Sequence, residues 1–346
     1  MRDTARRAFV ASLVVGGVVV FALALWKLKI LIALLFLAFT IAAAMRPGVD
    51  ALHRRRIPRG LGIAIHYFVL VVLIGLFLWA VVPRALDQVQ QALGEARHSS
   101  GIKHDLLVGL EKRLKELGEL RSGTSVVDRA VTLGVRAFEV LVGIFFTLAT
   151  AAYWIYERDR AEALVTSLLP RRRRQVVRDT WNLIDLKLGA YVRGQALLIV
   201  FVGTVLSIAF LIIGLPFWLL LGAFAGVIEI IPVIGPLSAG ALAVGVGFTQ
   251  SWKVALAAGL AVLGVRLLED YIVIPRVLGH AVGLTPLVVL VSVTAVGLLF
   301  GGFAVLLAIP IAAVCATLID VIVREVDPAE EEPPAVLFPA KDAETG

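Results

Sequence analysis

Long apolar runs separated by short polar clusters dominate this chain. Phe9–Trp26, Ile30–Met45, Leu61–Val82, Phe138–Tyr156, Ala196–Gly214, Val254–Ile274, Pro286–Phe300 and Phe303–Val323 each reach or approach the length at which a helix crosses about 30 Å of hydrocarbon. A further apolar stretch, Leu215–Phe248, is interrupted by Pro232, Gly235 and Pro236. The runs are continuous and lack the alternation of lipid-facing and lumen-facing residues that marks barrel strands. They predict an all-α, polytopic membrane protein of about eight transmembrane helices, with a broken or re-entrant helical hairpin and amphipathic inserts. The first run, behind Arg2, Arg6 and Arg7 and followed by Ala22-Leu23-Ala24, resembles a secretory signal. Its core is longer than usual, however, and only Lys27-Leu28-Lys29 separates it from the next run, so an uncleaved first span is expected.

The polar stretches have patterns of their own. Ile102, Leu106, Leu110, Leu114, Leu117 and Leu120 recur at three- and four-residue spacing among charged residues, and Leu86, Val89 and Leu93 begin a similar stripe. An amphipathic helical insert is expected there, either lying on the membrane surface or against a neighbouring subunit, or acting as a gating arm. Residues 327–346, rich in proline and glutamate, predict a disordered tail. The expected organisation is three spans over 1–82, an external insert over 83–137, a fourth span with a basic segment over 138–195, a core with broken helices over 196–323, and a tail over 324–346.

Composition excludes a water-soluble fold of this size. Of 346 residues, 60% are hydrophobic and 17% charged, against about 25% charged in ordinary soluble domains, and the mean hydropathy is +0.94. The net charge of +7 would admit nucleic acid as a partner, but the polar segments are poor in aromatic side chains on which bases could stack. The basic residues sit between spans instead. Arg46, Arg54, Arg55, Arg56 and Arg59 face one acid, Asp50, between 46 and 60, and the segment 157–195 carries the run Arg171 to Arg174. By the bias of Lys and Arg toward the cytoplasm, these segments and the N-terminus lie inside. The Arg171–Arg174 run is equally able to hold anionic lipid.

Enzyme chemistry finds no foothold. The chain has no phosphate-binding GxxxxGK[ST], no HExxH and no GxSxG. Its five histidines have no metal-ligand spacing, and Cys315 is its one cysteine. No cofactor or metal is expected. What stands out is polarity at membrane depth. Glu229 lies within an apolar run, three residues before Pro232, and Gly235 and Pro236 follow. Proline breaks a helix, and a break in lipid must be buried or line a wet cavity. Secondary transporters build substrate sites from such breaks; a packed hairpin holding a neutral Glu229 is the competing reading. Beyond the break, Gly235, Ala239, Ala243 and Gly247 form a small-residue stripe suited to close helix packing. A second cluster places Arg266 three residues before Glu269 and four before Asp270, on one helix face. It admits a structural salt bridge or, because two acids face one arginine, an ion-coupling carboxylate. Pro275 and Arg276 are expected to end that helix.

The ordered set "YVRGQ" (191–195), "IPVIGP" (231–236), "LEDYIVIPRVLG" (268–279), "TPL" (285–287) and "FGGFAVLLAIPIAA" (300–313) resembles the autoinducer-2 exporter family of bacterial membrane permeases. The likeness is strongest over 190–323. Asp270, where many relatives carry a polar amide, and Ala304, where a glycine is usual, depart from it. The resemblance implies about eight spans, both termini cytoplasmic, a place in the bacterial inner membrane and homo-oligomeric assembly. Members are linked with autoinducer-2 export and with sodium/proton antiport. The expected function is therefore a secondary transporter exporting a small solute coupled to a proton or sodium ion. Glu229, Pro232, Gly235, Pro236, Arg266, Glu269 and Asp270 would line the route. Sodium/proton antiport without organic substrate and a non-transporting scaffold are the alternatives; membrane lipid is a partner in every case, and nucleic acid in none.

Overall fold

The computed structural model describes residues 2–98, 126–277 and 283–331. Among them are helices and turns and no strand. In order these are α1 (Arg2–Lys27), α2 (Lys29–Arg54), α3 (Arg59–His98), α4 (Val126–Ser167), α5 (Arg171–Ile213), α6 (Trp218–Ile228), α7 (Ile234–Phe248) and α8 (Trp252–Leu268). A π-turn over Glu269–Val273 leads into α9 (Ile274–Val277); then come α10 (Pro286–Phe300), a 3₁₀ segment (Gly302–Leu307) and α11 (Ala308–Ile322). Among the described residues, five segments are long and apolar enough to cross a membrane: Lys29–Arg54, Arg59–Gln88, Gly134–Ser167, Arg171–Ile213 and Gly302–Ile322. Shorter apolar helices at Ser12–Lys27, Trp218–Ile228, Ile234–Phe248 and Pro286–Phe300 accompany them. The chain is an all-α polytopic membrane protein. The stripe over 102–120 lies outside the described residues, as does the tail from 332 onward.

The helices outrun the apolar segments that announce them. α2 passes through Pro47 and α3 through Pro83, and α5 begins at Arg171, well before its apolar half. Outside hydrocarbon, a polar helix face costs nothing, so the pattern of a span underestimates its helix. Local chemistry sets several ends. α5 stops at Gly214 in the left-handed region (φ 74°), with Gly214 N donating to Leu211 O and Leu215 N to Phe210 O. This double closure satisfies carbonyls a helix end leaves open, and Phe210 and Leu215 seal it by burial together. Ser251 caps α8 by accepting from Val254 N, and Thr285 caps α10 with Pro286 in its first turn.

Helix α5 is the spine. It packs against α6 and α8 on one side, α2 and α4 on another, and α11. Three apolar clusters surround it: Val202, Leu206, Phe210, Leu221, Ala225, Ala239, Ala243 and Ala258 among α5–α8; Ala38, Ala42, Val49, Ile63, Ala151 and Ile155 among α2–α4; and Val293, Val296, Ala304 and Ala308 toward the C-terminus. The buried contacts are rich in alanine while large residues such as Phe68, Trp79, Phe145 and Leu298 point outward. That inversion suits lipid, where association depends on close backbone approach rather than on hiding leucines. The tightest approach is α5 against α6, where Gly203 meets Gly226 and Ser207 meets Gly222. A Cβ on Gly226 would stand 2.6 Å from Ile199 O and 2.7 Å from Gly203 Cα, both backbone atoms that cannot rotate away. Gly226→Ala is thus expected to lower stability by about 2–3 kcal/mol, the upper part of the overpacking range. Gly75→Ala, on the open face of α3 with nothing within 4 Å, should leave the melting temperature of the detergent-solubilised protein unchanged or slightly raised. Equal melting of the two variants would refute this account of the crossing.

At one end of the bundle the basic segments meet. Arg158 on α4 donates to Asp185 on α5 (2.7 Å) and to Glu162 (2.8 Å), Arg178 reaches Glu162 (2.7 Å), and Arg46 on α2 reaches Asp185 (3.3 Å). Arg59 at the start of α3 pairs with Asp159 (3.4 Å). The segments 46–60 and 157–195 therefore share one side of the fold. Just past α11 the chain returns to the same helix: Pro328 is buried and Glu331 pairs with Lys187 of α5. Glu331 thereby gives the buried Lys187 its counter-charge.

Candidate transport site

Helix α6 ends at Ile228, leaving Glu229 as its C-terminal cap, and α7 begins at Ile234. Between them Val233 adopts φ 67°, ψ −54°, and Ile234 N donates to Pro232 O at 2.7 Å. This is a γ-turn of the rare positive-φ kind, strained for any side chain and more so for a β-branched one. Phe217, ahead of α6, also has positive φ (58°), so the short α6 is entered and left through strained residues. Pro236 falls in the first turn of α7, where no intrahelical donor is required. Gly235 is forced by proximity: a Cβ there would lie 2.9 Å from the Ile228 carbonyl carbon and 3.2 Å from Glu229 Cα. Gly235, Ala239, Ala243 and Gly247 are the buried residues of α7. Gly247 abuts the backbone of Ala255 on α8, and Ala239 and Ala243 pack in the cluster that α5 and α8 share.

The two polar clusters, 37 residues apart in sequence, are one cluster in space. Arg266 Nη1 lies 3.3 Å from Glu229 Oε1 and 3.2 Å from Glu269 Oε2, and its Nη2 lies 2.9 Å from Asp270 Oδ1. Glu229 and Glu269 are buried, at 6% and 2% exposure, whereas Asp270 is open to the exterior. The π-turn carries Glu269 and Asp270, and wide turns of this kind gather at functional sites. The chain stays helical through Pro275 and Arg276 to Val277, since the widened turn loosens the contact that a proline would make with the preceding turn; residues 278–282 lie outside the described residues. One guanidinium faces three carboxylates. If all three are ionised the cluster carries two negative charges in excess, two of its acids being away from water.

Gln195 was not singled out by sequence as a site residue. Its buried amide donates to the Glu229 carbonyl (3.1 Å), supplying the partner that a broken helix end must find inside a membrane. The available signal is its place as the last residue of "YVRGQ", an amide at the threshold of an apolar span. Among the described residues no group of three or more His, Cys, Asp or Glu side chains is arranged to hold a metal ion.

The chain is similar to known proteins. YrrI of Bacillus subtilis, named as a candidate transport protein, is 25% identical over 295 residues, covering 81% of this chain and 83% of its own. YueF of the same organism, named likewise, is 28% identical over 285 residues, 77% of each chain. PerM of Escherichia coli, named as a candidate permease, is 27% identical over 208 residues, 58% of this chain and 57% of its own. The model of the AI-2E transporter family matches residues 16–324, nearly the whole of the helical bundle. The chain belongs to the AI-2E transporter family, and is a multi-pass inner-membrane transporter.

Proposed function

We propose that the protein is a secondary transporter exporting a small solute, an autoinducer-2-like signal or another small metabolite, driven by a proton or sodium gradient. The observation that carries this reading is the convergence of Glu229, Glu269 and Asp270 on Arg266 at a helix break. A packed hairpin needs neither a surplus of buried carboxylate nor a strained γ-turn beside it. Both have a use in transport. A proton or sodium ion joining the cluster cancels one of its excess charges, and the cost of carrying uncompensated charge through a membrane makes the two charge states prefer different surroundings. Because Glu229 caps α6, a change in its pairing acts directly on the α6–α7 hairpin, whose γ-turn is the hinge. Rocking of this hairpin exposes the cluster alternately to the two sides.

The Lys/Arg distribution supports a cytoplasmic position for the ion-paired end of the bundle and for both termini. Homo-oligomeric assembly belongs to the same proposal. The small-residue stripe of α7 is consumed within the chain, so subunits would meet through exposed apolar faces such as that of α1.

Reconstitution into liposomes tests the reading. Wild type is expected to show proton- or sodium-driven flux, and Glu229→Gln and Asp270→Asn to lower it at least about tenfold, equivalent to about 1.4 kcal/mol on the limiting step, while both variants still elute as folded protein. Ion flux independent of every solute tried would identify cation/proton antiport. Absence of any flux under either gradient would leave the scaffold reading. Normal flux in both variants would remove the carboxylates from the mechanism.

A further inference from the structure

Lys187 is a buried cation that the transport cluster does not use, and unlike buried Arg158 it takes its counter-charge from outside the helices. It sits on α5 at 9% exposure, and its ammonium donates to Thr317 Oγ1 on α11 at 3.2 Å and to Glu331 Oε1 at 2.6 Å. Thr317 is buried at 1%. Among the described residues the ion-pair partner of Lys187 is Glu331, which belongs to no helix of the bundle. It comes from turns beyond α11, where Val326 N donates to Asp320 O and Glu330 N to Asp327 O. A buried ammonium without an anion is costly, yet the anion here is supplied by an appendage that could leave without unwinding a helix.

The position of Lys187 is informative. Tyr191 and Gln195 follow it at four-residue intervals on the buried face of α5. The three form a polar line about 12 Å long, at 1.5 Å per residue. At its far end the Gln195 amide meets the Glu229 carbonyl. We infer that Lys187 and Thr317 form a binding site for a soluble anionic group, a carboxylate or phosphate, at the head of this polar line. Glu331 is its tethered occupant, which an anionic solute displaces on entering. The site stands on the contacts of Lys187 alone; its use by a transported solute rests on the transport reading. Glu331 thus keeps the site neutral when no solute is present.

Amine acylation of Lys187, followed by mass spectrometry of the full-length protein in micelles without anionic lipid, tests the site apart from any flux. Lys187 should react slowly in wild type and at least about tenfold faster in Glu331→Gln, since loss of the counter-charge opens the site. Adding acetate or inorganic phosphate should slow the variant again. Equal reactivity of the two proteins would overturn the inference, as would acceleration that no soluble anion reverses. Slowing by phosphatidylglycerol and not by acetate or phosphate would overturn it in favour of a lipid headgroup. A chain ending at Asp327 supplies the second variant. If neither it nor Glu331→Gln folds while Lys187→Met combined with Glu331→Gln does, the carboxylate is a fixed structural counter-ion and the site does not exist. With the site intact but no flux in wild type, the anion site would survive and the transport reading fall.

Discussion

Arg266→Met is expected to be the most damaging single substitution outside the helix crossings. The change preserves bulk and removes the one cation that, among the described residues, pairs with Glu229, Glu269 and Asp270. Breaking a buried charge pair by deleting one partner costs about 3–5 kcal/mol, and here two buried acids lose the same partner. Against a total stability of about 5–15 kcal/mol for a typical fold, the variant should reach the membrane in low yield and melt well below wild type. Arg266→Lys should fall between them. It keeps the charge but not the fork through which Nη1 serves two glutamates and Nη2 the aspartate. Adding Glu229→Gln to Arg266→Met should recover part of the loss, because one less buried carboxylate then needs a partner. Melting of Arg266→Met at the wild-type temperature would mean that the acids are not held by Arg266 in the folded protein. Failure of the double variant to recover would mean that Glu229 is not part of its cluster.

That coupling marks the limit of what sequence alone discloses. The spans are legible because hydrocarbon imposes length and apolarity on every segment that crosses it. Glu229 and the Arg266 group are legible as exceptions within those spans, each by itself. Their contact is not, because it depends on how α7 folds back against α8 after the break and on the separate packing of α6 and α8 against α5. The stripe Gly235, Ala239, Ala243, Gly247 has a helical period, so its common face is visible; that α8 and the end of α6 cover it is not. Gln195 escaped for a related reason. Its role is to satisfy a carbonyl 34 residues away, and no local pattern announces an orphaned backbone group. The helix continuing through Pro275 depends on a π-turn, a register change without a composition signal. Lys187 is one charge among nine basic residues in its segment, and only the fold separates it from the solvent-facing arginines.

The α6–α7 turn yields a pair of substitutions with opposite effects on stability and the same effect on transport. Val233 holds φ 67°, a conformation costing about 1–3 kcal/mol for a residue with a side chain. Val233→Gly removes that strain and returns about 0.5–1 kcal/mol to the flexibility of the unfolded chain, so net stabilisation of about 1 kcal/mol is expected. Gly235→Ala does the reverse. Its new methyl meets the Ile228 carbonyl, a backbone group fixed by the end of α6, and lies 3.2 Å from Glu229 Cα. Relief requires α7 to withdraw, stretching the 2.8 Å bond from Gly235 N to Ile231 O and shifting Glu229 against Arg266, at a cost of about 3 kcal/mol. A hinge must visit a second conformation. Val233→Gly deepens the one described here, and every 1.4 kcal/mol of bias costs about tenfold in the population of the other; Gly235→Ala displaces the carboxylate that the motion carries. Flux should therefore fall in both variants while melting temperature rises in the first and drops in the second. A rigid hairpin behaves otherwise, because relieving its strain raises the melting temperature and leaves flux untouched. Val233→Gly is the deciding measurement, since its flux can fall only if the strained turn is a working part and not a scar of packing.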